Sequence, residues 1–143
     1  MAMVFTQNSI YGLATNPDTH PLLLHSLAST CPAELALRIA GHARVLKATL
    51  VSLAKHECPE VRTAVGDHQQ TPVEVLWKLA QDEHPDVRYS LSENHNIPLE
   101  ILKTLQNDEN PYVACRAQKT ISRVQSEVTT LVSEPSMSLA FAS

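Results

Sequence analysis

A motif stated twice, 26 residues apart, limits what this chain can fold into. Glu57-Cys58-Pro59-Glu60-Val61-Arg62 is answered by Glu83-His84-Pro85-Asp86-Val87-Arg88. Thr71-Pro72-Val73-Glu74-Val75-Leu76-Trp77-Lys78-Leu79 is answered by Ile97-Pro98-Leu99-Glu100-Ile101-Leu102-Lys103-Thr104-Leu105. The same period runs through the chain. Leu13, Ile39, Val65, Leu91 and Ala117 form one column, Leu24, Leu50, Leu76, Leu102 and Val128 a second, and Leu27, Leu53, Leu79, Leu105 and Leu131 a third. Ala14, Ala40, Gly66 and Ser92 make a small-residue column that ends at Gln118. A repeat of this length implies stacked supersecondary units, none able to bury its apolar face alone.

Each unit reads as two short helices. Pro59, Pro85 and Pro111 stand at first helical positions, where the missing N–H has no intrahelical acceptor to lose. Val61, Ala64 and Val65 then mark one apolar face at i, i+3, i+4. Gly66-Asp67-His68-Gln69-Gln70 interrupts the pattern. Thr71, Pro72 and Glu74 have the spacing of a capping box, which predicts that the second helix opens at Thr71. Val75, Leu76, Leu79 and Ala80 are its buried face.

The first unit covers about residues 9–34, with its turn at Asn16-Pro17-Asp18-Thr19 and Leu23, Leu24 and Leu27 facing the core. Met3, Val4 and Phe5 are placed to cover its open end. The second, about residues 35–60, is less regular, lacking a Pro before its second helix and carrying Arg38 in a small-residue column. The last departs most: Val113, Ala117, Ile121, Val124, Val128 and Leu131 recur with no Pro or Gly from Tyr112 to Leu131. One longer amphipathic helix that caps the stack is expected there, since solenoids need atypical end units. The expectation is an all-α solenoid of about four to five 26-residue two-helix repeats, one domain over residues 1–132, and a loose Ser-rich tail over 133–143.

Composition narrows the partners. At 43% apolar but 4% aromatic residues, the core must be aliphatic, and three glycines suit a helical chain. A net charge of −4 without a basic stripe argues against nucleic acid. No apolar run is long enough to span a bilayer. The first eight residues lack the basic and apolar regions of a signal peptide. Three widely spaced cysteines suit a reducing, cytoplasmic setting.

Asp82-Glu83-His84-Pro85-Asp86-Val87-Arg88, followed by a turn and Pro-x-Glu-x-Leu-x-x-Leu, resembles the leucine-rich repeat variant family, a relative in style of HEAT repeats. The match is good over residues 58–116, fair over 13–54 and absent in the tail; the family's units are a little shorter. The resemblance implies α-helices alternating with short 3₁₀-like helices in a right-handed superhelix that serves as a protein-interaction scaffold. One founding type carries a Cys-rich iron–sulfur module, and no such Cys cluster is present here.

Other chemistries have weaker support. His42 and His68 share a repeat position with Asn16 and Asn94, but rungs about 8–10 Å apart do not converge on an ion that needs ligands about 2 Å away. A turn-positioning role suits them better. His20 and His25 lack the spacing and Glu of a zinc-protease motif. Cys31, Cys58 and Cys115 have no recognisable activating partner. Asp82, Glu83, Asp108 and Glu109 recur with the repeat, as expected of solvated turns, capping and ion pairs with Arg62 and Arg88. No metal, cofactor or catalytic residue is expected. The leading expectation is a non-catalytic scaffold for a protein or peptide, with Trp77, Arg62 and Arg88 as candidate partner-binding residues. Trp77 shares a column with His25, Val51 and Lys103, at the edge of the buried face. The alternatives are a HEAT-like nucleic-acid-binding protein or DNA-repair enzyme, which the acidic balance disfavours, and a self-associating structural module.

Overall fold

A computed structural model describes residues 7–133; Met3, Val4 and Phe5 and residues 134–143 lie outside the described residues. Within these bounds the chain is all-helical. The helices are α1 (Gln7–Thr15), α2 (Pro21–Ala28), α3 (Ala33–Ala40), α4 (Lys47–Leu53), α5 (Pro59–Asp67), α6 (Val73–Leu79), α7 (Pro85–Glu93), α8 (Leu99–Gln106) and α9 (Pro111–Val132). Their starting residues keep the period of the sequence: 33, 59, 85 and 111 for one set, 47, 73 and 99 for the other.

The prolines act as their chemistry requires. Pro21, Pro59, Pro85 and Pro111 are the first residues of α2, α5, α7 and α9. The residue before each is extended, the conformation that a following proline favours. Three of these helices are capped by a side chain that accepts a backbone N–H: His20 from Leu22, His84 from Asp86 and Asn110 from Tyr112. The expected Thr71 capping box does not form. Pro72 is the N-cap of α6 and no side chain caps it. The Thr71 hydroxyl turns inward and donates to the Val65 carbonyl, a terminal acceptor of α5. Thr19 does the same for Leu13 at the end of α1. Each threonine thus adds a bond at the end of the helix behind it; the Val65 carbonyl also accepts the His68 N–H at 3.2 Å.

The odd-numbered helices pack in series, α1 on α3, α3 on α5, α5 on α7 and α7 on α9. The even helices lie beside them, each touching its neighbours in sequence. Between the layers runs one aliphatic core holding Ile39, Val65, Leu91 and Ala117 from the odd helices and Leu24, Leu50, Leu76 and Leu102 from the even ones. The small column is buried at Ala14, Ala40 and Ser92, and a Cβ at Gly66 would make ordinary contact, at 3.5 Å, with Leu79 Cδ1 and Leu91 Cδ1. Burying an aliphatic side chain of this size contributes about 1.5–3 kcal/mol.

The column of Asn16, His42, His68, Asn94 and Thr120 forms a ladder. His42 Nε2 meets the Asn16 carbonyl at 2.8 Å, and His68 Nε2 meets the His42 carbonyl at 3.0 Å. Asn94 Nδ2 donates to Gly66 and Thr120 Oγ1 donates to Ser92. Every rung after Asn16 therefore bonds a carbonyl of the unit before it. At the same time His42 Nδ1 accepts from the Arg44 N–H and His68 Nδ1 from the Gln70 N–H. Asn16 and Asn94 accept equivalently from Asp18 and Asn96. An imidazole that accepts at Nδ1 donates at Nε2, so the two contacts together set the tautomer. The expected turn-positioning role is what these contacts describe, with the addition that each turn is tied to its predecessor.

The long terminal helix is also present. In the fourth unit, Asn94 to Pro98 turns the chain between α7 and α8. The matching residues, Thr120 to Val124, contain no proline, and α9 continues through them for 22 residues.

Candidate interaction surface

Arg62 and Arg88 meet at Asp82, one on its carboxylate and the other on its carbonyl, and both differ from Trp77 in exposure. Arg62 and Arg88 are 9% and 8% exposed, whereas Trp77 is 37% exposed on the outer side of α6. The guanidinium of Arg62 grips Asp82 through Nε (2.7 Å) and Nη2 (3.0 Å), while Nη1 donates to the carbonyls of His56 (2.7 Å) and Glu57 (3.1 Å). Arg88 repeats this one unit later, with Asp108 at 2.8 and 3.2 Å and Nη1 on the Asp82 carbonyl at 2.7 Å. Asp82 and Asp108 form the expected ion pairs but are 9% and 8% exposed at their side chains, so these two are buried rather than solvated, whereas Glu83 and Glu109 of the same turns are exposed. The bond to Asp82 raises the Arg62 pKa further above its already high value. Asp82 and Asp108 also accept the N–H groups of His84 and Asn110, which orders the approach to α7 and α9.

These arginines are thus engaged within the fold. Arg62 joins the turn before α5 to the turn after α6, and so holds the far end of the helix that carries Trp77. The paired columns explain where such staples occur. Arg62 and Arg88 each stand 20 residues before their aspartate; one unit earlier the same two positions hold Ala36 and His56. That co-occurrence was a readable signal for the pairing.

Trp77 has apolar company. Val73, one turn earlier on α6, is 45% exposed, and Val51, the equivalent of Trp77 on α4, is 37% exposed. The even helices also carry exposed lysines: Lys47 on α4, Lys55 just after it, Lys78 on α6 and Lys103 on α8. Beside Val73 a cleft of about 670 Å³ opens between the α5–α6 and α7–α8 turns, with Asp67, Thr71, Asn94 and Ile97 in its lining. Desolvation by its surroundings raises the pKa of Asp67, against the opposing hydrogen bond from Ser90 at 3.4 Å. The opposite edge is acidic, with Glu83 and Glu109 beside Asp82 and Asp108 in a cleft of about 590 Å³.

The side chains tested for chemistry are occupied by structure. Five histidines, His20, His42, His56, His68 and His84, each accept at Nδ1 from the backbone N–H two residues on. His25 Nδ1 lies 2.7 Å from the Thr49 hydroxyl. Among the described residues no three His, Cys, Asp or Glu side chains converge to hold a metal ion. The Cys58 thiol donates to Glu60 at 2.8 Å, which lowers the Glu60 pKa. Burial pushes the Cys31 thiol up, the reverse of what activates a nucleophile. No described helix is long and apolar enough to cross a membrane.

No family model matches this chain, and neither a curated protein nor a solved structure shows significant similarity to it.

Proposed function

We propose that the chain is a non-catalytic recognition scaffold: a right-handed α-solenoid of four to five 26-residue units, similar in style to leucine-rich repeat variant proteins, that binds a protein or peptide in the cytoplasm. The observation that carries this reading is the exposed Trp77 edge. A large aromatic is kept 37% exposed one helical turn from the exposed Val73, on a helix whose far end is fastened by a buried bidentate ion pair. Tryptophan is enriched in binding hot spots, and a rigid support lowers the entropy lost on binding. In this reading Trp77 touches the partner, while Arg62 and Arg88 act as positioning residues that set the spacing of the helices presenting it.

The test is an affinity capture from native extract, using the whole chain and a Trp77→Ala variant with matched helix content, read by mass spectrometry. A protein retained by the parent and lost by the variant supports the Trp77 surface. Equal retention by both moves the site elsewhere. Failure to retain any protein, together with firm nucleic-acid binding in a low-salt mobility-shift assay, would replace the scaffold with the HEAT-like nucleic-acid alternative.

A further inference from the structure

Two carboxylates stand at one repeat position and are met differently. Asp67 is the last residue of α5, and Glu93 is the last residue of α7. The C-terminal end of a helix disfavours an anion and favours a cation. At Glu93 the chain supplies that cation itself. Arg116 of α9, 23 residues ahead, places Nε 3.4 Å from Glu93 Oε1. The residue 23 ahead of Asp67 is Ser90. Its hydroxyl makes one bond of 3.4 Å to Asp67 Oδ1 and carries no charge. In the two earlier units these positions pair Thr15 with Arg38 and Gly41 with Ala64. Asp67 is thus the carboxylate for which the repeat provides no arginine.

The space around Asp67 is open and lacks positive charge. The side chain borders a cleft of about 500 Å³ with Gly41, Ala43 and Ala64, and the cleft of about 670 Å³ between the α5–α6 and α7–α8 turns. Among the described residues no lysine or arginine lines either cleft, and Asp67 is the one carboxylate in both. His68, which also lines both, has each ring nitrogen engaged with a backbone group. Desolvation raises the Asp67 pKa against the Ser90 bond, and the charge of Glu93 raises it further.

We propose that the larger cleft receives an arginine side chain of the peptide partner, whose guanidinium stands at Asp67 as that of Arg116 stands at Glu93. This deepens the scaffold reading and rests on it for the existence of a partner. Val73 lines the same cleft, one helical turn before Trp77. A segment lying on the Trp77 edge therefore delivers its arginine past Val73. Arginine is preferred to lysine because its planar fork matches a carboxylate and is more weakly hydrated than an ammonium.

Titrating the full chain at neutral pH with N-acetyl-arginine amide, followed by backbone amide chemical shifts, tests the site. The expected result is saturable shifts at Asp67, Gln69 and Asn96, with a dissociation constant on the order of 10 mM. N-acetyl-citrulline amide, nearly the same shape but uncharged, should bind at least about tenfold more weakly. Asp67→Asn should weaken the arginine probe by a similar factor. Ser90→Arg should provide the guanidinium from within the chain and close the site to the probe. Trp77→Ala should leave probe binding unchanged, so loss of a captured protein in that variant is read separately from loss of the arginine site. A parent chain without saturable shifts overturns the proposal. So does probe binding that survives Asp67→Asn or Ser90→Arg, or that the citrulline probe equals.

Discussion

The two halves of the molecule share one backbone plan but are held together differently. From α5 onward, successive units are fastened by the Arg62–Asp82 and Arg88–Asp108 pairs, each of which also bonds backbone carbonyls of the preceding turn. From α1 to α4 the equivalent positions are Ala36 and His56, which cannot form that Arg–Asp pair. Tyr11 of α1 reaches Glu34 of α3 at 3.2 Å, and Arg38 lies 5.7 Å from the Tyr11 ring centroid. Exposed contacts of that kind contribute under about 1 kcal/mol each. The ladder and the aliphatic columns, common to both halves, are therefore sufficient to shape a unit. The staples add resistance to separation where they occur.

The largest effect should come from breaking a staple. Arg62→Ala leaves Asp82 buried without its counter-charge and should cost about 3–5 kcal/mol in urea unfolding. Arg62→Lys should recover only part of this, because an ammonium cannot reproduce the bidentate fork. Next comes transplanting the staple. Ala36→Arg alone should destabilise the N-terminal half. Combined with His56→Asp it should regain stability, with a double-mutant coupling of about 1–3 kcal/mol; additive effects would show that the column alone does not specify the pairing. In the unmodified chain, native-state hydrogen exchange should find α1 to α4 opening at lower free energy than α5 to α9.

The ladder is a smaller term and is common to both halves. His68→Leu removes both its turn bond and its bond to His42, and should cost about 1–3 kcal/mol. His68→Asn should be milder, since Asn94 does both jobs one rung later. The smallest effect is at Asp67. Burial raises its pKa above that of the unfolded chain, so the folded state takes up its proton more readily than the unfolded state does. The sign follows from linkage: its contribution to stability is present at acid pH and is lost as pH rises through the folded-state pKa. Asp67→Asn should therefore stabilise the protein at neutral pH, by less than about 1 kcal/mol because water screens the carboxylate. The gain should disappear in acid, as thermal melts at the two pH values would show.

The columns of the repeat were enough to locate the helices. Pro59, Pro85 and Pro111 mark helix starts, and the proline-free stretch after Tyr112 marks the long terminal helix. What they missed is the direction of polar side chains. Thr71 had the spacing of a cap, yet its hydroxyl serves the buried Val65 carbonyl, because which of two nearby backbone groups is buried depends on the neighbouring unit. Asp82 and Asp108 were expected to pair with Arg62 and Arg88, but as solvated groups. Their burial depends on the turn closing over them, which no local pattern reports. The exposure of Trp77, at the edge of a helical face, was likewise undetermined until α5 and α7 were in place.

The Arg62 staple has a consequence for how such a chain can change its length. Its two carbonyl acceptors lie six and five residues before it, at His56 and Glu57. Arg88 uses the same offsets, at Asp82 and Glu83. Excising residues 59–84 would join Cys58 to Pro85 and deliver Arg88 to the carbonyls that Arg62 has now, with Asp108 still 20 residues ahead. Deleting a single residue between Pro59 and Asp82 would spoil one of Arg62's two spacings, the offset to its carbonyls or the 20-residue step to Asp82. The joints thus tolerate heritable edits in steps of one whole unit and penalise every smaller step, so a lineage of such chains can be shortened or extended by recombination without any new joint having to be invented.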